Sequence, residues 1–347
     1  MKMKILVYIE KSDIRGGIEI FAERHVAELR AEGHEVTIAN DARRGTADES
    51  HVSCPASKTA RVSRLSSHVE EKPPFGSFDE IIVHKCSDVK TLAAFPPEKT
   101  VYYVHDHEPI CPRTYAYTPL GRNCTRPGGV WPCIFCAPAC RNWRPALARV
   151  FAQGRRRRIM ARFRKIVVIS EFMKSRLVAN GIDSGKIEVR PPVIAPAAGS
   201  AGSAGPAVDL LYVGQLIRGK GVQLLLQAMA LLKSPRTLDI VGTGNMEPKL
   251  RALAARLGLA DRVRFNGFQP NPQDWMRRAA CVVVPSFWQE PYGLVAAEAA
   301  ALGKRVVAFA VGGLPEACHG KATLVPPGDV DALARALDGQ LGDGAGT

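Results

Sequence analysis

The chain lacks any apolar run long enough to cross a membrane as a helix. The run in its first ten residues, Ile5 to Ile9, is far short of the roughly 18 residues a span needs and is too short for a secretion signal. A cytoplasmic protein is expected, with its nine cysteines as thiols or metal ligands and not as disulfides. Acidic residues are in deficit, 33 against 47 Lys and Arg, which leaves a net charge of +14. Such an excess suits nucleic acid, an anionic membrane face or a phosphorylated substrate. Aromatics are only 7% of residues and no nucleic-acid module signature accompanies the charge, so no nucleic-acid partner is expected. A length of 347 residues gives room for two domains, each with its own core.

What the chain does contain is alternation. Ile5 to Ile9, Glu35 to Ala39, Ile81 to Val83, Val101 to Val104 and Ile166 to Ile169 read as short buried strands. A helix opens at Gly16-Gly17 and runs to Leu29, with Ile20, Phe21, His25, Val26 and Leu29 near helical spacing. A basic helix follows over Pro145 to Arg164, and Ser170 caps another over Phe172 to Asn180. Residues 41 to 77 carry no clear pattern, and residues 108 to 143 are irregular and Cys-rich. Ala195 to Val208 has linker composition. The alternation then restarts, with strands at Leu210 to Val213, Leu238 to Val241, Val263 to Phe265, Cys281 to Val284 and Arg305 to Ala308. Helices fall between them, near Gly221 to Leu232 and Met246 to Leu257. This predicts an α/β chain with two Rossmann-like, doubly wound parallel-sheet domains, over 1–194 and 210–347, joined by a linker over 195–209. In such sheets ligands bind beyond the carboxyl ends of the strands, so the two domains are expected to face each other across a cleft.

The loops after those strands carry the chemistry. Glu290 and Glu298 stand with seven residues between them, around Pro291-Tyr292-Gly293. A strand precedes them and a helix over Ala296 to Leu302 follows, which puts Gly293-Leu294-Val295 at a helix N-terminus with amides open to phosphate oxygens. The two acids can then grip hydroxyl groups, or one can merely complement the helix dipole while the other is solvated. Gly214 to Gly221 runs from strand to helix with Arg218 and Lys220, two cations suited to a diphosphate, or else an ordinary glycine turn with solvated charges. Gly242-Thr243-Gly244 is half of a dinucleotide fingerprint, with Glu247 in the third glycine position. His105 follows a strand in Val104-His105-Asp106-His107, where structural and catalytic roles are equally open.

The whole string from Pro285 to Glu298 resembles the E-x7-E segment of retaining nucleotide-sugar glycosyltransferases of the GT-B fold, family 4. The resemblance runs from about Lys4 to Leu337 and is strongest over Leu210 to Gly328. It implies an acceptor-side N-terminal domain, a nucleotide-sugar-binding C-terminal domain and transfer without a catalytic metal. Lys220 and Arg218 would hold the donor diphosphate, with Gln215 where many members have Arg. Glu290 would hold the sugar and Glu298 the ribose, while His105 would touch the transferred sugar. Gly16, Gly17, Gly214, Gly242, Phe268, Gly293, Leu294 and Val295 would line the donor site. No residue stands out as a covalent nucleophile, in keeping with front-face retention. The donor would be UDP- or GDP-linked. The acceptor would be a glycan or a polyprenyl-diphosphate-linked sugar of polysaccharide biosynthesis, met by a cytoplasmic enzyme peripheral to the inner membrane face. Many members end in a helix where this chain has a glycine-rich tail after Asp338.

Three further signals carry alternatives. Asp329-Val330-Asp331 has the form of a metal-binding D-x-D but reads better as an N-cap before Ala332-Leu333. Arg155 to Arg158 is a solvated helix face or, beside Phe151, Ile159, Met160 and Phe163, a contact for anionic membrane. Cys124, Cys133, Cys136 and Cys140, with Cys111 as a substitute, have spacing suited to a structural Zn²⁺, with an iron–sulfur cluster or free thiols as alternatives. Two rival functions stand beside the transferase: a sugar-nucleotide epimerase on a related fold, and a non-catalytic nucleotide-sugar binding module.

Overall fold

A computed structural model describes residues 2–10, 17–40, 75–112, 114–118, 121–136, 143–194 and 208–342. The chain divides into two compact units. The first comprises Met1–Leu120, Cys124–Ile169 and Lys174–Arg190; the second comprises Gly121–Asn123, Ser170–Met173 and Pro191–Thr347.

In chain order the N-terminal elements are β1 (Lys4–Ile9), α1 (Gly17–Ala31), β2 (Glu35–Asn40), β3 (Glu80–Lys85), α2 (Val89–Ala94), β4 (Thr100–Val104), α3 (Val130–Ile134), α4 (Trp143–Met160), β5 (Lys165–Val168), α5 (Glu171–Val178) and β6 (Ile187–Val189). All strand pairs are parallel, in the order β2-β1-β3-β4-β5-β6. Ile5, Leu6, Val7, Ile81, Val83, Ile166 and Val168 are essentially inaccessible, as parallel strands covered on both faces require. Ser170 caps α5 by accepting a hydrogen bond from Met173 N at 3.0 Å.

The remaining elements are β7 (Val208–Val213), α6 (Val222–Ala230), β8 (Leu238–Val241), α7 (Glu247–Arg256), β9 (Val263–Phe265), α8 (Pro272–Arg278), β10 (Ala279–Val284), α9 (Leu294–Ala301), β11 (Arg305–Phe309), α10 (Leu314–Ala317), β12 (Ala322–Val325) and α11 (Val330–Leu341). The second sheet is also parallel, in the order β12-β11-β10-β7-β8-β9. Leu210, Leu211, Val282, Val283 and Val307 form its inner rows, packed by Leu225 and Leu226 of α6 and by Leu333 and Leu337 of α11. Each such side chain contributes about 1.5–3 kcal/mol on burial. Order reverses between β7 and β10, so that crevice is where this sheet type holds a ligand.

Two expectations change in detail. The linker was expected to run through residue 209, but Val208 and Asp209 already belong to β7; residues 195–207 lie outside the described residues. The elements α2, α3, β6, α8, α10 and β12 were not anticipated, because three to seven residues are too few to display a period. Asp329 is an N-cap: its carboxylate accepts from Ala332 N at 2.8 Å. Among the described residues no helix is long and apolar enough to cross a membrane.

Candidate active site

The crevice of the second unit is bounded by the loop after β7, Gly214 to Gly221, and the loop after β10, Pro285 to Gly293. The two loops nest because glycine leaves room. Gly221 has φ +76°, and a Cβ there would lie 1.8 Å from the Pro285 carbonyl oxygen. A Cβ on Gly219 would lie 2.8 Å from the Trp288 ring, and Phe287 N donates to Gly219 O at 3.1 Å. A third loop, after β8, closes on the first: Leu216 N donates to Thr243 O at 2.9 Å, and a Cβ on Gly242 would meet Gly214 O at 1.9 Å. The sequence reading gives these glycines to ligand approach. In the structure Gly219, Gly221 and Gly242 are each required by neighbouring protein atoms.

This nesting brings Lys220 to Glu290 across 70 residues. Lys220 Nζ lies 2.6 Å from Glu290 Oε1, and the Trp288 indole N–H donates to the same oxygen at 2.9 Å. Lys220 also stands 5.3 Å from the centroid of the Trp288 ring. Glu290 is buried, with 7% of its surface exposed. Burial alone would push its carboxyl up, but the Lys220 ammonium and hydrogen bonds from Lys220, Trp288 and Ser286 outweigh that and hold it below its ordinary value. A buried, ionised carboxylate beside a cation is therefore fixed at the switch point of the sheet.

Gly293, with φ +116°, precedes α9, so the amides of Leu294 and Val295 open that helix as expected. Glu298 stands half-buried on the second turn. Arg218 and Gln215 are exposed on the loop after β7, and Phe268 is exposed after β9. A depression of about 400 Å³ lined by Lys304, Arg305, Lys321 and Gln340 lies elsewhere, at the amino ends of β11 and β12. Ligands of such sheets gather at the opposite, carboxyl ends.

In the first unit His105 directly follows β4 and does not stand alone. His105 Nε2 lies 3.0 Å from His84 Nδ1, and His84 Nε2 lies 3.1 Å from His25 Nδ1. His25 Nε2 lies 3.4 Å from the Tyr103 hydroxyl, which accepts from Arg190 at 2.9 Å. Phe21 packs edge-on against His84 and His105. Burial lowers all three imidazoles: His25 to about 4, helped by Arg190; His105 to about 3, helped by His25 and Lys85; and His84 well below its ordinary value, helped by His105 and His25. All three are neutral near pH 7. Sequence reading missed this cluster and Trp288. His25 looked like part of an apolar helix face, and His84 stood one residue past an apolar strand.

Gly17 opens α1, while Gly16 lies outside the described residues. Among the described residues Cys111, Cys124, Cys133 and Cys136 are half-buried and joined in no disulfide, and Cys140 lies outside the described residues. Among the described residues no three His, Cys, Asp or Glu side chains gather as a metal site. The arginine run is only partly a solvated face, which corrects that expectation. Arg155 and Arg158 are exposed, but Arg156 is buried, pairs with Glu108 at 3.1 Å and donates to Ser87 O. Arg157 donates to Gly128 O and to Asn180 at 3.1 Å.

Residues 15–197 match the profile described as Glycosyltransferase Family 4, and residues 207–343 match Glycosyl transferases group 1. A D-inositol 3-phosphate glycosyltransferase from Streptomyces griseus is 41% identical over 143 residues, 37% of this chain and 30% of the relative. An uncharacterised glycosyltransferase from Methanocaldococcus jannaschii is 36% identical over 140 residues, 39% of this chain and 36% of the relative. The matched stretch thus spans about a third of each relative. Among solved structures, Anabaena HepE in complex with UDP and glucose has a TM-score of 0.62 at 19% identity, covering 98% of this chain and 90% of that one. WaaG, a glycosyltransferase involved in lipopolysaccharide biosynthesis, has a TM-score of 0.62 at 17% identity, covering 97% and 90%. The two six-stranded α/β units thus have the GT-B fold.

Proposed function

The chain belongs to glycosyltransferase family 4, and on that premise we propose that it moves a sugar from a UDP- or GDP-linked donor to a glycan or polyprenyl-diphosphate-linked acceptor. Transfer occurs with retention and without a catalytic metal. The observation that carries this reading is the pairing of Lys220 with the buried Glu290 in the crevice between β7 and β10. As the bond between the sugar's anomeric carbon and the diphosphate breaks, the leaving group gains negative charge. Lys220 supplies a fixed cation for that charge, with Arg218 and the first amides of α9 as further donors. The acceptor oxygen bonds to the anomeric carbon from the same face, and its proton passes to the departing phosphate oxygen.

Glu290 accepts hydrogen bonds from the sugar and Glu298 from the ribose, while His105 donates to the sugar. Gly16, Gly17, Gly214, Gly242 and Phe268 line the nucleotide. Support for metal independence is the supply of positive charge by side chains and helix amides. The D-x-D carboxylate Asp329 is occupied as a helix cap.

An anionic membrane surface is the proposed second partner. Trp131, Phe135 and Phe151 are exposed at 78%, 77% and 58%, and Arg149, Arg155 and Arg158 are exposed on the same helix, α4, as Phe151. Aromatics with interspersed cations suit an interface with anionic lipid.

The testing experiment is incubation with UDP- and GDP-sugars, with and without lipid-linked acceptors, followed by assignment of the new linkage's anomeric configuration. Retained configuration in an acceptor-dependent product is expected. An epimerised nucleotide sugar formed without acceptor would support the epimerase instead.

A further inference from the structure

We infer that Arg190, Tyr103, His25 and His84 form a one-directional hydrogen-bond relay that positions His105 as a donor through Nδ1. The inference rests on the role proposed above for His105, and its direction follows from a proton count. Arg190 can only donate, so its contact at 2.9 Å occupies a lone pair of the Tyr103 hydroxyl. Tyr103 is buried, with 2% of its surface exposed, and its hydroxyl proton finds no other acceptor than His25 Nε2 among the described residues. That link, 3.4 Å, is the longest of the series.

If Tyr103 donates to His25 Nε2, the single proton of neutral His25 sits on Nδ1 and is given to His84 Nε2 at 3.1 Å. His84 then carries its proton on Nδ1 and gives it to His105 Nε2 at 3.0 Å. His105 is left with its proton on Nδ1, and that ring is only half-buried. In the reverse direction the Tyr103 hydroxyl would accept twice and its own buried proton would go unpaired, a penalty of the size that decides such orientations. The rings are held for this: the planes of His84 and His105 are nearly parallel, at 22°, and Phe21 lies 4.9 Å from His105 between centroids. His25, His84 and Tyr103 are therefore positioning residues, and His105 is the one that meets the sugar.

Long-range proton–nitrogen correlation spectra of the full chain with isotopically labelled histidine read the tautomers directly, without any substrate. All three rings are expected as the Nδ1–H form. A His105 found as the Nε2–H form overturns the inference. Tyr103→Phe removes only the hydroxyl, and should let the relay reverse and populate the Nε2–H form of His105. Unchanged tautomers in that variant also overturn the inference. The same variant should lower kcat about three- to tenfold with unchanged nucleotide affinity. Tautomers that shift with no change in kcat would uphold the relay and remove His105 from the proposed chemistry.

Discussion

One carboxylate oxygen of Glu290 receives both the Lys220 ammonium, at 2.6 Å, and the Trp288 indole N–H, at 2.9 Å. The pair therefore orients Glu290 and neutralises it at once. Without Lys220, burial would act on the Glu290 carboxyl with less to oppose it.

Lys220→Met should cost stability as well as turnover, because it strands a buried carboxylate. Breaking a buried pair from one side typically costs about 3–5 kcal/mol, and the partial exposure of Lys220 puts this site toward the low end or below. Adding Glu290→Gln should restore part of the loss. Urea unfolding of both single variants and the double variant measures the coupling, and strictly additive effects would contradict a direct pair.

Gly221→Ala should destabilise by about 2–4 kcal/mol, since the positive φ and the overlap with the Pro285 carbonyl act together. Gly258→Ala, with φ +69° but no atom within 4 Å, should bear the conformational strain alone. Urea midpoints for the two variants separate the contributions. Equal losses would mean that the nesting of the loops adds nothing.

Stability should fall on acidification from about pH 7 to about pH 5. His25, His84 and His105 have folded values far below 6.5, so the unfolded chain binds protons first as pH falls through 6.5. Each contributes a loss of roughly 1.4 kcal/mol per pH unit over that window. Asp106, raised to about 6 chiefly by burial and by Glu108, has the opposite sign and offsets one of the three. Thermal melting against pH should show the fall, and a flat profile would contradict three imidazoles held neutral in the folded chain.

Arg156→Ala should destabilise more than Arg155→Ala or Arg158→Ala, because Arg156 is buried against Glu108 while the other two are exposed. The exposed pair should instead govern flotation with anionic liposomes. Flotation that survives Arg155→Ala with Arg158→Ala, or that ignores anionic lipid, would contradict the proposed surface.

The strands were legible because parallel strands buried on both faces are short continuous apolar runs, as in Ile5 to Ile9 and Cys281 to Val284. The helix beginning at Leu294 was legible from the glycine before it and the alanines after it. That Lys220 meets Glu290 was not, because their contact depends on β7 lying beside β10, a property of strand order and not of local sequence. The histidine relay escaped for the same reason: α1, β3 and β4 must converge before His25, His84 and Tyr103 become one network. The arginine run misled because four like charges look solvated until Glu108, Gly128 and Asn180 are seen against two of them.

On the proposed assignment, nucleotide and sugar are held by different acids at the Lys220 crevice. Calorimetric titration of UDP and GDP against the parent chain and its Glu298→Ala, Lys220→Met and Glu290→Gln variants tests it without an acceptor. One nucleotide should bind the parent, Glu298→Ala and Lys220→Met should each weaken that binding by about tenfold or more, and Glu290→Gln should leave it nearly unchanged. No binding to the parent, or binding equally indifferent to Glu298 and Lys220, would contradict it.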